Sequence, residues 1–295
     1  MTELTGTEES YRSVWSELRH VPFRQGWIDV SGVKTRYVEA GDPQSPAIVM
    51  LHGTGGHWES YCRNIGVLAE DFHCVAFDML GHGYTSKPDI DYEIPLYADH
   101  VTSLMNELGI EHATLIGVSL GAWIAGAIAA RHPDLVDKLI LLTPTGLFPV
   151  DQGDAARVLR QRTEAVNNPT WESIKVVFDH LLAQEENRIP DMIALRQDIY
   201  RQDDTRATVG HVLALQDAEI RNRNLVNADE WASIKAPTLV VATGSDPNEQ
   251  HYLTAKKVAE LIPVVRLVEM PHVGHWPHFE NDVEFNDLAL KFLKS

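Results

Sequence analysis

Short continuous apolar runs recur along the chain, separated by stretches whose apolar residues return every three or four positions. Ala47–Leu51 is the first such run, followed by Cys74–Phe77, Thr114–Val118 and Leu139–Leu142, with Thr238–Ala242 and Val264–Val268 late in the chain. Apolar runs this short and unbroken predict strands buried on both faces. Ahead of them, Trp27–Val30 and the alternating Lys34–Ala40 predict a hairpin turned at Ser31-Gly32. Between the runs, Ile94, Tyr97, Ala98, Val101, Leu104, Met105 and Leu108 share one helical face. Leu120–His132 is apolar nearly all round, and Gly121, Ala122 and Gly126 permit close approach, which predicts a buried helix. Alternating strands and helices imply an α/β fold, a mostly parallel central sheet covered by helices on both faces.

That alternation stops between about Val150 and Trp231. The stretch has no strand-like run but carries helical stripes such as Trp171, Ile174, Val177, Phe178, Leu181 and Leu182, with Asn168-Pro169 as the expected cap and first turn. Three segments follow from this: residues 1–149 as the first part of an α/β core, 150–231 as an all-helical lid, and 232–295 as the second part of the core. The lid is expected over the strand ends, where open α/β sheets bind ligands.

Charge narrows the list of partners. Lys and Arg number 25 against 42 Asp and Glu, a net charge of −17, so nucleic acid and anionic membrane surfaces are excluded as expected partners. A single basic residue in a pocket can still hold an anionic small molecule. The only cysteines, Cys62 and Cys74, have no metal-ligand or disulfide-scaffold spacing, and they read as free thiols in a reducing compartment. No signal-peptide core and no 18-residue apolar run is present, so a cytoplasmic location is expected. Neither a cofactor nor a metal is called for.

The chemistry centres on Gly117-Val118-Ser119-Leu120-Gly121, placed between a buried strand and a buried helix. A serine on such a turn exposes its hydroxyl above the sheet, and the flanking glycines leave room where a Cβ would not fit. Asp246 and His275 follow in the order acid, then histidine, each just past a predicted strand. Ser119 is the expected nucleophile, His275 the proton carrier, and Asp246 the residue that fixes the imidazole tautomer. His272 and His278 compete for the histidine role, and Glu249 for the acid; Thr143-Pro144-Thr145-Gly146, after the preceding strand, offers no carboxylate. The oxyanion donors are expected to be the backbone N–H groups of Leu120 and of Thr54, the latter in His52-Gly53-Thr54-Gly55-Gly56. His52 reads as a brace for that loop, and Asp78–Ser86, with Gly81 and Gly83, as a turn shaping the pocket floor.

With these residues in place, about Gln25 to Ser295 resembles the α/β-hydrolase family, and within it the meta-cleavage-product hydrolases, which cut a C–C bond in ring-opened dienoates. The resemblance rests on Thr35-Arg36-Tyr37-Val38-Glu39-Ala40-Gly41, Arg63-Asn64-Ile65, Gly274-His275-Trp276 and Arg196 within Leu195–Tyr200. It implies that Arg196 holds the substrate carboxylate and that Trp276, Val118 and Gly53 line the pocket. The competing reading of Arg196 is a solvated arginine. Related enzymes are often homo-oligomers, a state that no signal in this chain decides.

Two departures bear on substrate. Val118 stands where that family usually has Asn, and the oxyanion loop lacks the usual Pro, with Ser60 in the place of a later Asn. A valine side chain neither donates nor accepts a hydrogen bond. On that ground the sequence favours cleavage of a small carboxylate-bearing ester, such as a monoalkyl phthalate, through an acyl-enzyme. C–C cleavage of a 2-hydroxy-6-oxo-dienoate is the alternative, and a non-hydrolytic member of the fold the third reading.

Overall fold

The apolar runs form one eight-stranded sheet in a computed structural model that describes residues 12–149, 152–246 and 248–295. Its strands are β1 (Phe23–Val30), β2 (Val33–Ala40), β3 (Ala47–Leu51), β4 (His73–Phe77), β5 (Ala113–Val118), β6 (Val136–Leu142), β7 (Thr238–Thr243) and β8 (Val265–Met270). They lie in the order β1-β2-β4-β3-β5-β6-β7-β8. β2 is antiparallel to both β1 and β4, and every later neighbour pair is parallel. The hairpin turns where expected, with Ser31 at φ 53° and Gly32 at φ 87°, the left-handed pair that a two-residue turn requires. Its first strand starts earlier than the apolar pattern indicated, because Phe23 still pairs with Ala40. The last strand is a correction. β8 is the sheet's edge and is only half-buried, so it is not the doubly buried strand its apolar run suggested.

Alternate residues of each central strand feed two separate cores. Ile48, Met50, Ile116 and Ile140 pack on one face, while Val49, Leu51, Leu115 and Leu139 pack on the other. The first core takes α1 (Val14–Leu18), α2 (Ile65–Leu68), α12 (Pro277–Glu280) and α13 (Asp282–Leu293) through Val14, Ile65, Phe279 and Phe285. The second takes α3 (Ile94–Glu107), α4 (Leu120–Arg131), α10 (Ala228–Ser233) and α11 (Glu249–Leu261) through Val101, Ile124, Trp231 and Val258. Each large apolar side chain buried this way contributes ~1.5–3 kcal/mol.

Between β6 and β7 the chain forms α5 (Gln152–Asn167), α6 (Trp171–Asp179), α7 (Pro190–Arg201), α8 (Asp203–Val212) and α9 (Ala218–Asn224), with no strand among the described residues. The cap of α6 differs from expectation. Thr170 accepts from Ser173 N while Ser173 Oγ accepts from Thr170 N, and this reciprocal box places Pro169 outside the helix. The boundary expected at residue 231 runs through α10, whose Trp231 is buried against Gly126 of α4 and belongs with the sheet-flanking layer.

Both cysteines are free and buried, and burial pushes the Cys62 thiol up to about 12. Among the described residues no helix is long and apolar enough to cross a membrane.

Helix α4 approaches β3 closely enough to make one glycine obligatory. A Cβ on Gly121 would lie 2.1 Å from the Leu51 carbonyl oxygen, a backbone atom that cannot rotate away. Gly121→Ala is therefore expected to lower unfolding stability by ~1–3 kcal/mol or to prevent folding. Gly210, on an exposed helical site with nothing within 4 Å of an added Cβ, is the control. Gly210→Ala should raise stability by ~0.4–1 kcal/mol. Denaturant midpoints of the two variants decide it; similar shifts of the same sign would contradict the packing argument.

Candidate active site

Ser119 occupies the single residue between β5 and α4, at φ 56° and ψ −113°. A non-glycine residue in this region costs of order 1–3 kcal/mol, which only a rigid surrounding sustains. The surrounding is rigid: Ser119 N donates to Leu142 O of β6 at 3.0 Å, and Ser119 O accepts from Trp123 N at 3.0 Å. Gly117 is required as well, since its Cβ would stand 2.3 Å from Gly121 O. The sharp turn lifts the serine hydroxyl into a cavity whose wall also carries Asp246 and His275.

His275 Nδ1 donates to Asp246 Oδ2 at 2.5 Å. Its main chain is clamped on both sides: His275 N donates to Leu181 O at 2.8 Å, and Thr143 Oγ1 donates to His275 O at 3.0 Å. Thr143 holds a φ of 42° to do so. Glu280 ties the same loop to the helical insertion, accepting from Gly274 N, Ala183 N and Gln184 N. The competing residues are elsewhere. His272 is exposed, Glu249 opens α11 facing solvent, and His278 is buried under Tyr61 and Trp276.

The structure adds a residue that the sequence reading passed over. His251 Nδ1 also donates to Asp246 Oδ2, at 2.9 Å, and its ring lies 4.4 Å from that of His275. Its only sequence signal is a histidine in the first turn of the helix after the acid. Burial raises the Asp246 carboxyl, but the two imidazoles outweigh burial and hold it well below the usual carboxylate range. Burial and the neighbouring His275 push the His251 imidazole down, against the pull of Asp246. The three side chains place donor atoms within 4.8 Å of one another. A divalent ion there would displace both Nδ1 protons and take His275 out of proton transfer.

The loop after β3 lies against the serine. A Cβ on Gly53 would be 3.3 Å from Ser119 Cβ, and Gly53, Thr54 and Leu120 all line the cavity. The N–H of Leu120 belongs to the first turn of α4, whose donors have no intrahelical acceptor. His52 braces the loop: its Nδ1 donates to Gly53 O at 2.8 Å, and its Nε2 accepts from Met79 N at 3.0 Å. Complete burial keeps it neutral, with its pKa well below the usual value. In the Asp78–Ser86 turn, Gly83 (φ 52°) abuts the Asp78 carboxylate, which pairs with Arg36.

Arg196 is fully buried, and its Nε, Nη1 and Nη2 have no hydrogen-bond partner among the described residues. Its guanidinium lies 4.5 Å from the Phe178 ring centroid and 5.8 Å from that of Trp276. Burial pushes its pKa down to about 10. The solvated reading of Arg196 is excluded. Trp276 is on the cavity wall, and Arg196, stacked near it, is not among the residues that line that cavity. Val118 is not on the wall of that cavity; its side chain is fully buried in the core cluster that includes Trp58 and Ile116.

The sequence profile described as alpha/beta hydrolase fold matches residues 46–282. The chain is 26% identical over 280 residues to a 2-hydroxy-6-oxo-6-(2'-aminophenyl)hexa-2,4-dienoic acid hydrolase of Metapseudomonas resinovorans, covering 94% of this chain and 93% of the relative. It is 29% identical to a 2-hydroxymuconate semialdehyde hydrolase of Pseudomonas sp. (strain CF600), covering 90% and 92%. Among solved structures, a 2-hydroxy-6-oxo-6-phenylhexa-2,4-dienoate hydrolase from Rhodococcus sp. strain RHA1 superposes with a TM-score of 0.81 at 22% identity, covering 93% of this chain and all (100%) of that one.

Two predictions follow from the geometry. Asp246→Asn keeps the shape but no longer accepts from both imidazoles, so kcat should fall by roughly 10⁴ while Glu249→Gln leaves it within a few-fold. Steady-state kinetics of the two variants test this, and a larger loss in Glu249→Gln would reassign the acid. The second concerns acid. Burial pushes His82 and His100 down to about 4 and His278 to about 3, below the ~6.5 of an unfolded histidine. The unfolded chain then binds protons first, so stability is complete above about pH 6.5 and is lost as pH falls toward 4. His112 and His211 shift the other way through Asp partners, but they are exposed and screened. The denaturant midpoint should be flat from pH 7 to 8 and drop steeply below 6.5; a flat midpoint down to 4.5 would refute it.

Proposed function

The chain belongs to the α/β-hydrolase fold family, and from that membership we propose that it is a serine hydrolase cleaving a C–C bond in a 2-hydroxy-6-oxo-dienoate. The ester reading rested on Val118 and Ser60 in the places of two asparagines. Val118 lies in the core, which removes the first of these grounds, and the relatives with dienoate-type substrates favour the C–C alternative. The observation that carries the substrate class is Arg196, a buried guanidinium with three unused nitrogens stacked on Phe178 and Trp276. Leaving such a group without an anion is costly, so a ligand carboxylate is the partner it suits.

In this reading Ser119, His275 and Asp246 form the catalytic triad, and the N–H groups of Thr54 and Leu120 receive the oxyanion. The enol proton of the substrate first moves to carbon, giving a ketone beside the carboxylate. Ser119 Oγ adds to the remote carbonyl as His275 takes its proton. The C–C bond then breaks with its electron pair passing into the conjugated ketone, and the leaving dienolate takes the proton from His275. His275 next takes a proton from the water that attacks the acyl group and returns it to Ser119 Oγ as the acid leaves. The helical insertion acts as the lid, with Val158 and Arg162 of α5, Val177 of α6 and Val212 of α8 lining the cavity. A cytoplasmic location fits two free buried thiols.

The test uses Arg196→Met and Ser119→Ala with a synthetic 6-phenyl dienoate and a neutral short-chain ester. Arg196→Met should lower kcat/KM for the dienoate by roughly 10- to 150-fold, as loss of a hydrogen bond to a charged group does, and spare the ester. Ser119→Ala should abolish both. Equal losses in Arg196→Met, or no dienoate turnover by the wild type, would reject the proposal.

A further inference from the structure

Arg221 is a second buried cation without a counter-charge among the described residues. It projects from α9 onto the cavity wall, where its guanidinium lies 4.8 Å from the Trp123 ring centroid. Nη2 donates to Thr145 Oγ1 at 2.7 Å and Nε to Phe148 O at 3.4 Å. Among the described residues no carboxylate lies within ion-pair distance of it. Burial alone pushes its pKa down to about 10. The sole carboxylate on the described wall of the cavity is Asp246, already shared by His251 and His275.

A chain of net charge −17 has thus put a desolvated guanidinium on its catalytic cavity and left it only neutral oxygen acceptors. A hydroxyl and a carbonyl position the fork but do not neutralise it. Arg221 is also separate from Arg196 in the fold: α9 holds it against Trp123 and Thr145, whereas α7 holds Arg196 against Phe178 and Trp276.

We propose that Arg221 recognises a second carboxylate, carried on the acyl half of the substrate, so that the acid released from Ser119 is a dicarboxylate. This rests on the reading of the cavity as the site of dienoate cleavage, in which Arg196 takes the carboxylate of the leaving half. The half retained on Ser119 then occupies the wall formed by Trp123, Thr145 and Arg221. An apolar aryl or alkyl group there would bury against an uncompensated charge, while a carboxylate would pair with it bidentately.

Two measurements on the full chain test the proposal and separate its failure from that of the cleavage reading. In the first, glutarate and pentanoate, acids of equal carbon number, are titrated calorimetrically into wild type, Arg221→Met and Arg221→Lys. Wild type should bind glutarate at least ~10-fold more tightly than pentanoate, Arg221→Met should bind the two alike, and Arg221→Lys should retain part of the preference. No preference in wild type, or one that survives in Arg221→Met, overturns the proposal. If Arg221→Met does not fold, the wild-type and Arg221→Lys titrations still decide. The second compares kcat/KM for dienoates bearing a 6-carboxyalkyl or a 6-alkyl group. Preference for the carboxyalkyl substrate that Arg221→Met abolishes supports it; equal loss on both substrates makes Arg221 a tether for the loop after β6 and overturns it. A glutarate preference dependent on Arg221 in a protein that cleaves neither dienoate would sustain the second anion site and reject the C–C reading.

Discussion

Everything at the candidate active site depends on how closely α4 is allowed to approach β3 and β5. Gly117 and Gly121 leave no side chain between helix and strands, with the Leu51 carbonyl where a Gly121 Cβ would be. That contact forces the chain to reverse within one residue, and the residue at the reversal, Ser119, is held in left-handed backbone geometry by Leu142 and Trp123. The same approach brings the loop after β3 against the serine, so Gly53 and Thr54 border it. A helix set back by the thickness of one methyl group would lose the turn, the exposed hydroxyl and the adjoining backbone donors together.

The acidic partner shows how a buried charge is made tolerable. Asp246 loses hydration on burial, and two imidazoles rather than one return that loss through hydrogen bonds to the same oxygen. His251 therefore does more than occupy the wall, since it helps keep the carboxylate ionised and oriented toward His275. The arginines reverse this logic. Arg196 and Arg221 are as deeply buried, yet neither has an acidic neighbour among the described residues. Desolvated cations of this kind are stable only when the fold over-determines their position, here through Phe178, Trp276 and Trp123, and they gain most from an incoming anion.

Much was legible along the chain because it depends on local order. Doubly buried strands read as unbroken apolar runs, α4 as an all-apolar helix, and the strand-to-helix turn at Ser119 as a serine between two glycines at their junction. Asp246 and His275 were legible because each follows a strand of a parallel sheet, and the ends of parallel strands share one edge. The order of acid and histidine in the chain left His272 and His278 open beside His275, and the hydrogen bond to Asp246 is what singles out His275.

Other features required the tertiary structure, for a common physical reason: they depend on what faces a side chain from distant elements. The direction of Val118 into the core is set by strand register, which a one-residue shift would invert. The edge position of β8 depends on sheet order, not on its own composition. His251 matters only because α11 turns it back onto Asp246, and Trp231 joins the core only because Gly126 admits it. Arg221 is one arginine among many in the sequence, where Arg196 stood out by resemblance alone. Burial without a counter-charge distinguishes them, and burial is a property of the folded chain alone.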